Sequence, residues 1–428
     1  MGTWLRKWAG NLSLLVVGGL ATLLLLDLVF FPRLMTRVPL KLQPELREPA
    51  LRTLTQSSKR AAVPAEDWIA LTGDSYAAGQ GDWFRSVDQN RNPPFHSAHL
   101  IHRATGRDVV SFGHSGAGSL RALVSEPIAQ RAYLAHTWLY GISDPADLLI
   151  YFFPGNDLTD NLEHLRKRWD PNHTRAEFDD EVAFQRFIER EVLGESKAWR
   201  QAKGFRAREN FFLARNLRYG LTRRVRAFLG GDPAELDVAQ ETVEHERVGT
   251  EKAGAWEKAR FRNRMYAAGE VVSVGRPLRA PGIVLSDEEL ELGLEVFRRS
   301  ARFLADHYPE TRIHIVHLPS PAAAYEHETD QVWVFATYFR ERDDVFSVRR
   351  VMERSDFVCG EVAAFAKAEG FGFVDVRPYA RAATEQAVLH GPVDWRHLNR
   401  AGHEMLTEAV VDLLEGTAAA QCGRVSRR

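Results

Sequence analysis

Five short apolar runs, each closed by turn residues, mark out the chain: 68–72, 108–112, 148–153, 313–318 and 371–376. Apolar positions within them are nearly continuous, the pattern of parallel strands buried on both faces. Helical patterns lie between and after them. Ser286 with Glu289 forms a capping box opening a helix that runs towards Tyr308 and Pro309. Ser355 is read as the cap of another helix, stopped by Gly370. A last helix carries Met405, Leu406, Ala409, Val410, Leu413 and Leu414 at helical spacing. Strands alternating with helices predict an α/β domain with a mainly parallel sheet, whose site lies at the carboxyl ends of the strands.

Two regions depart from that rhythm. Residues 12–31 are apolar apart from Asp27 and a few small polar positions, and a helix of that length spans roughly 30 Å of hydrocarbon. The run is long for a signal peptide and leaves through Phe30, Phe31 and Pro32 with no small-residue cleavage site. It is therefore read as a single-pass transmembrane signal anchor after a short tail, 1–11. Arg6 and Lys7 precede it and Arg33, Arg37 and Lys41 follow it, so charge does not settle orientation; the expectation is a large domain outside the cytoplasm, periplasmic or extracellular. Residues 32–66, with Pro32, Pro39, Pro44, Pro49 and Pro64 among charges, read as a tether. The second departure, about 162–311, is rich in Arg, Glu and Ala and reads as a mostly helical insertion within a domain of 67–415; 416–428 is a tail.

Composition narrows the function classes. The 428 residues carry 56 Lys and Arg against 57 Asp and Glu, which removes a whole-chain electrostatic case for nucleic acid. Basic clusters such as 221–226 read as solvated helix faces. The two cysteines, Cys359 and Cys422, are too few for a disulfide scaffold or a cysteine-based zinc cluster, and fit one bridge or two thiols equally. His96, His99 and His102 share helical spacing but lack acidic companions, and His314 and His317 point to opposite faces of a strand, so no metal site and no cofactor are expected.

The chemistry sits behind the strands. Gly73, Asp74 and Ser75 follow the first, Gly113–Ser119 the second, and Gly155, Asn156 and Asp157 the third; Asp394 and His397 precede the last helix. A serine hydroxyl needs a base to become a nucleophile, and histidine near neutral pH serves. The histidine needs a carboxylate to fix its tautomer. The anionic intermediate needs preorganised donors, for which the N–H groups of Ser75 and Gly116 and the amide of Asn156 are the natural set. Asp74 and Asp157 are read as braces of their turns. Ser115 nearly fits a Gly-x-Ser-x-Gly elbow but lacks the final glycine, since Ala117 stands there, and is read as a turn residue.

Gly73-Asp74-Ser75, Gly116, Gly155-Asn156-Asp157 and Asp394-x-x-His397 resemble, in order, the four blocks of the SGNH hydrolases, or GDSL esterases. The third block is shortened from Gly-x-Asn-Asp. The resemblance covers about 68–161 and 312–415. It implies a three-layer α/β/α, flavodoxin-like fold with five parallel strands, and a catalytic Ser75, Asp394 and His397 with an oxyanion hole of Ser75, Gly116 and Asn156. It also implies a membrane-anchored serine esterase working through an acyl-enzyme, on acylated small molecules or O-acetyl groups of an envelope polysaccharide. An O-acetyltransferase, a lipase or thioesterase, and a non-catalytic polysaccharide-binding protein are the alternatives.

Overall fold

The computed structural model describes residues 2–30, 66–81, 95–132, 135, 142–168, 180–196, 199–200, 262–336, 342–419 and 422. The tether, most of 169–261 and the basic cluster 221–226 lie outside the described residues. At the centre is a five-stranded parallel sheet of β1 (Ile69–Gly73), β2 (Val109–Ser111), β3 (Asp147–Phe152), β7 (Arg312–His317) and β11 (Gly372–Asp375), in the spatial order β11-β7-β3-β1-β2. The five predicted runs are these five strands, within a residue or two at each end.

Alternate residues of the strands feed two cores. Ala70, Leu148, Ile150 and Phe152 face one side; Ile69, Leu71, Leu149 and Tyr151 face the other. On the first side pack Leu120–Gln130, a wide helix of π type, with α3 (Asp157–Arg168), α5 (Asp287–His307) and α6 (Val348–Glu369). On the second pack α2 (Ser97–Thr105), α7 (Arg377–Thr384) and α8 (Arg400–Glu415). Helices on both faces fit a three-layer α/β/α arrangement. Here α1 is Gly2–Leu25 and α4 is Glu181–Phe187.

The Ser286 capping box is present, with Glu289 N–H donating to Ser286 and Ser286 N–H to Glu289. The Ser355 cap is corrected: α6 starts at Val348, capped by Ser347, whose side chain accepts from the Arg350 N–H. Ser355 lies inside that helix, buried, accepting a bond from Arg377. The insertion, expected to be mostly helical, also contains strands. Helices do occur in it, but its C-terminal part holds strands β4 (Asn263–Ala267), β5 (Glu270–Val274) and β6 (Leu278–Arg279). With β8 (Glu326–His327), β9 (Gln331–Ala336) and β10 (Arg342–Ser347) they form two three-stranded sheets, β5-β4-β8 and β10-β9-β6. Burial alternates along β4, with Asn263, Met265 and Ala267 buried, so these strands follow the two-residue period of a half-buried sheet.

The chain of the proposed anchor is α1, continued by a π-type turn over Leu26–Phe30. Leu12, Leu14, Leu15, Val17 and Leu20 on it are exposed. Among the described residues, no helix is long and apolar enough to cross a membrane.

Two buried charge clusters tie neighbouring strands of the sheet, one centred on β3 and one on β11. Asp147 receives bonds from Arg107, Arg312 and His314; burial pushes its carboxyl up, but these partners outweigh that and hold it well below the usual range. Asp375 is likewise held down against burial by His317 and Arg377. The two cysteines form a disulfide, with Cα atoms 6.0 Å apart and a sequence separation of 63. A closed loop of that size should contribute roughly 2–4 kcal/mol. Reduction, or Cys359→Ser with Cys422→Ser, is expected to lower the unfolding free energy measured in urea by that amount, with a correspondingly lower midpoint, while leaving far-UV circular dichroism unchanged.

Candidate active site

Chain order reverses between β1 and β3: the next strand after β1 is laid on one side of it, and β3 and its successors on the other. The loops leaving β1 and β3 therefore part at their carboxyl ends, which is where open α/β sheets form a crevice. Ser75 follows β1 and Asn156 follows β3. Gly73 ends β1 at φ +146°, where a Cβ would stand 2.7 Å from the Tyr151 carbonyl oxygen of β3. Only glycine permits both the conformation and the approach. The loop after β2 closes on the same place. His114 N–H donates to the Gly73 carbonyl, and a Cβ on Gly113 would stand 2.2 Å from Ala78 N. Gly118 and Ser119 lean on the third loop, with Ser119 N–H donating to Asn161 Oδ1.

The fourth piece arrives from the far end of the chain. Tyr325, fully buried, accepts from the N–H groups of Leu389 and His390, and Asn399 donates to the Val388 carbonyl while capping α8. Asp394 Oδ1 accepts from the Arg396 N–H, forming a tight turn, and the Tyr76 hydroxyl donates to the Arg396 carbonyl. The Tyr76 ring also stacks on Phe153 at 4.3 Å and lies 5.5 Å from the His397 ring. One side chain thus joins the loop after β1, the loop after β3 and the histidine turn.

These supports bring Ser75, His397 and Asp394 into one relay. His397 Nδ1 lies 2.7 Å from Asp394 Oδ2, and Nε2 lies 2.9 Å from Ser75 Oγ. In the neutral ring, donating Nδ1–H to Asp394 leaves Nε2 as an acceptor, so Ser75 donates its hydrogen to His397. Asp74 Oδ2 is also 3.1 Å from Ser75 Oγ. One hydroxyl hydrogen cannot serve both. Burial raises the Asp74 carboxyl, against bonds from Tyr76 N–H and the pull of His397, and a protonated Asp74 can donate to Oγ instead. Both contacts are then satisfied. Ser75 is 6% and Asp394 5% exposed.

Asn156 stands beside this relay, buried, its Nδ2 donating to Asp160 at 2.7 Å and contributing a bond to Asp74. An amide nitrogen has two hydrogens, so one serves Asp160 and the other is turned towards Asp74, on the side of Ser75. Asp157 braces the turn as expected, accepting from the Phe153 N–H at 2.8 Å. Burial, with Asp74 as a second cause, pushes its carboxyl well up. Gly116 is exposed at φ +64°, with open space in front of its Cα.

The remaining candidates fall elsewhere. His114 bonds the Ser115 carbonyl through Nδ1 and Arg121 through Nε2, so neither ring nitrogen serves the Ser115 hydroxyl. His96 caps α2 by accepting from Ala98 N–H, and His403 pairs with Ser97. Burial drives both imidazoles down to about 3, and the same holds for His390. Among the described residues, His317, Cys359 and Asp375 could together face a metal ion, yet Cys359 is in the disulfide and Asp375 is bonded by Arg377. Sequence reasoning missed Tyr76, Asp160 and Asn161. Their roles come from contacts with residues far along the chain, and a polar residue on a helix gives no such signal.

No protein-family model, curated protein or solved structure matches the chain. The site therefore rests on its own geometry. Asn161, fully buried, holds the Ser119 N–H through Oδ1 and the Gly293 carbonyl through Nδ2. Asn161→Ala strands both backbone groups, and is expected to cost about 2–4 kcal/mol in chemical denaturation.

Proposed function

We propose that this protein is a serine esterase of the SGNH type, forming an acyl-enzyme on Ser75. The observation that carries the reading is the unbroken run of contacts Asp394–His397–Ser75 at 2.7 and 2.9 Å. The order of the loops along the chain, and their meeting at the β1–β3 switch point, add support.

In this reading Ser75 Oγ attacks an ester carbonyl as its proton passes to His397 Nε2. Asp394 holds the imidazole and stabilises its cation. Negative charge gathers on the former carbonyl oxygen, met by the N–H groups of Ser75 and Gly116 and by the Asn156 amide hydrogen that faces Asp74, which exchanges that partner for the oxyanion. His397 then returns its proton to the leaving alcohol. Water, activated by the same histidine, releases the acid; a sugar hydroxyl in its place would give acyl transfer. O-acetyl groups of a carbohydrate or envelope polysaccharide are the substrate class put forward. Membrane attachment is part of the proposal, supported by the apolar run 12–31 and the exposed side chains Leu14, Leu15 and Val17.

Full-length protein in detergent is expected to hydrolyse 4-nitrophenyl acetate and to be labelled at Ser75 by a fluorophosphonate. Ser75→Ala should abolish both, and His397→Ala should lower turnover by about 10³-fold or more. Unlabelled wild-type protein, or a Ser75→Ala variant with undiminished turnover, rules the reading out.

A further inference from the structure

Asp160 lies one helical turn beyond Asn156 and is 7% exposed. Residues four apart share a helix face, and here the contact is direct: Asn156 Nδ2 donates to Asp160 Oδ2 at 2.7 Å. The other end of the same amide is different. Asn156 Oδ1 is buried with no hydrogen-bond partner among the described residues. Both carboxyls that bond this amide, Asp160 directly and Asp74 beside it, thus meet its nitrogen end, and Asp160 is the one with the shorter, direct contact.

We infer that Asp160 is a positioning residue for the reaction proposed above: ionised, it accepts from Asn156 and keeps the amide nitrogen, not the amide oxygen, on the side of Asp74 and Ser75. The inference rests on the esterase reading, and it adds a proton switch to it. A protonated Asp160 becomes a donor, and the unpartnered Asn156 Oδ1 is the acceptor beside it. The amide then turns over. Its carbonyl oxygen takes the place of the N–H, and a lone pair there repels the charge the N–H would stabilise.

The surroundings put this switch near neutrality. Burial raises Asp160, to about 7, with Asp74 and Glu163 pushing the same way and Arg279 and the Asn156 bond opposing. Asp157, next to Asn156, feels Asp160 in turn. Helix α5 brings Glu289, which is bonded to Arg166, and the loop after β2 meets Asp160 through Gly118. Arg279 comes from β6, its guanidinium 5.0 Å from the Phe335 ring.

The test uses full-length protein in detergent, labelled with ¹⁵N-asparagine. The side-chain amide signals of Asn156, assigned by their loss in Asn156→Gln, should shift with a midpoint near pH 7, and Asp160→Asn should remove that shift. In kinetics with 4-nitrophenyl acetate at pH 8, Asp160→Leu should lower kcat about 10- to 100-fold with KM changed less than twofold. Asp160→Asn, whose carbonyl can still accept from Nδ2, should recover part of the loss and flatten the acid limb of kcat by one proton. Asn156 signals that do not move between pH 5 and 9 overturn the inference, whether or not the variants fold. Wild-type kcat and pH profile in both folded variants, with Ser75→Ala inactive, overturn it as well. If the wild type hydrolyses no ester, the esterase reading fails on its own account, and the amide titration still decides whether Asp160 governs Asn156.

Discussion

The contact on which this architecture turns is the flush packing of Gly73 against the backbone of Tyr151, where β1 and β3 run side by side to their carboxyl ends. It joins the strand that leads to Ser75 to the strand that leads to Asn156, with no side chain between them. Because chain order reverses at this pair, the two loops diverge and leave room for a third, the turn after β2. Gly113 lets that turn come close, and Tyr76 then reaches the histidine turn through the Arg396 carbonyl. Each step needs the one before it, so the geometry of the relay is inherited from the sheet.

Buried charge is handled in opposite ways at the two ends of that sheet. At the start of β3, Asp147 is surrounded by Arg107, Arg312 and His314 and stays ionised. At the carboxyl ends of β1 and β3, Asp74, Asp157 and Asp160 share a buried space whose nearby cation is Arg279, and all three carboxyls are raised. Paired charge locks strands in place. Crowded carboxyls, raised by burial, instead hold their protons to higher pH.

What could be read from the chain is what local pattern encodes. The five apolar runs became five strands because burial on both faces leaves no polar alternation to confuse them. The Ser286 box was legible because both partners lie within one turn. Ser355 was misread since a serine ahead of an apolar stripe looks the same whether it caps a helix or, as here, meets Arg377 from within it. The strands β4 and β5 were lost in an Arg- and Glu-rich block, because half-buried strands expose those residues. In the site, Ser75, Asp394 and His397 stood out by type and spacing. Asp160 did not, because what sets it apart is burial beside Asn156 and other acids, and burial is a property of the fold.

The disulfide described above also divides the site in a way the relay alone does not suggest. The covalent loop from Cys359 to Cys422 encloses β11, α7, the turn before α8 and α8 itself, and so holds Asp394 and His397. Ser75, Gly116 and Asn156 all lie outside it. Fraying that begins beyond α8 meets a covalent stop before it can peel that helix from the sheet. The half of the relay formed by Asp394 and His397 is thereby carried on a closed ring. The Ser75 half has no covalent closure and is held by strand pairing, by the close approach of Gly73 and Gly113, and by Tyr76.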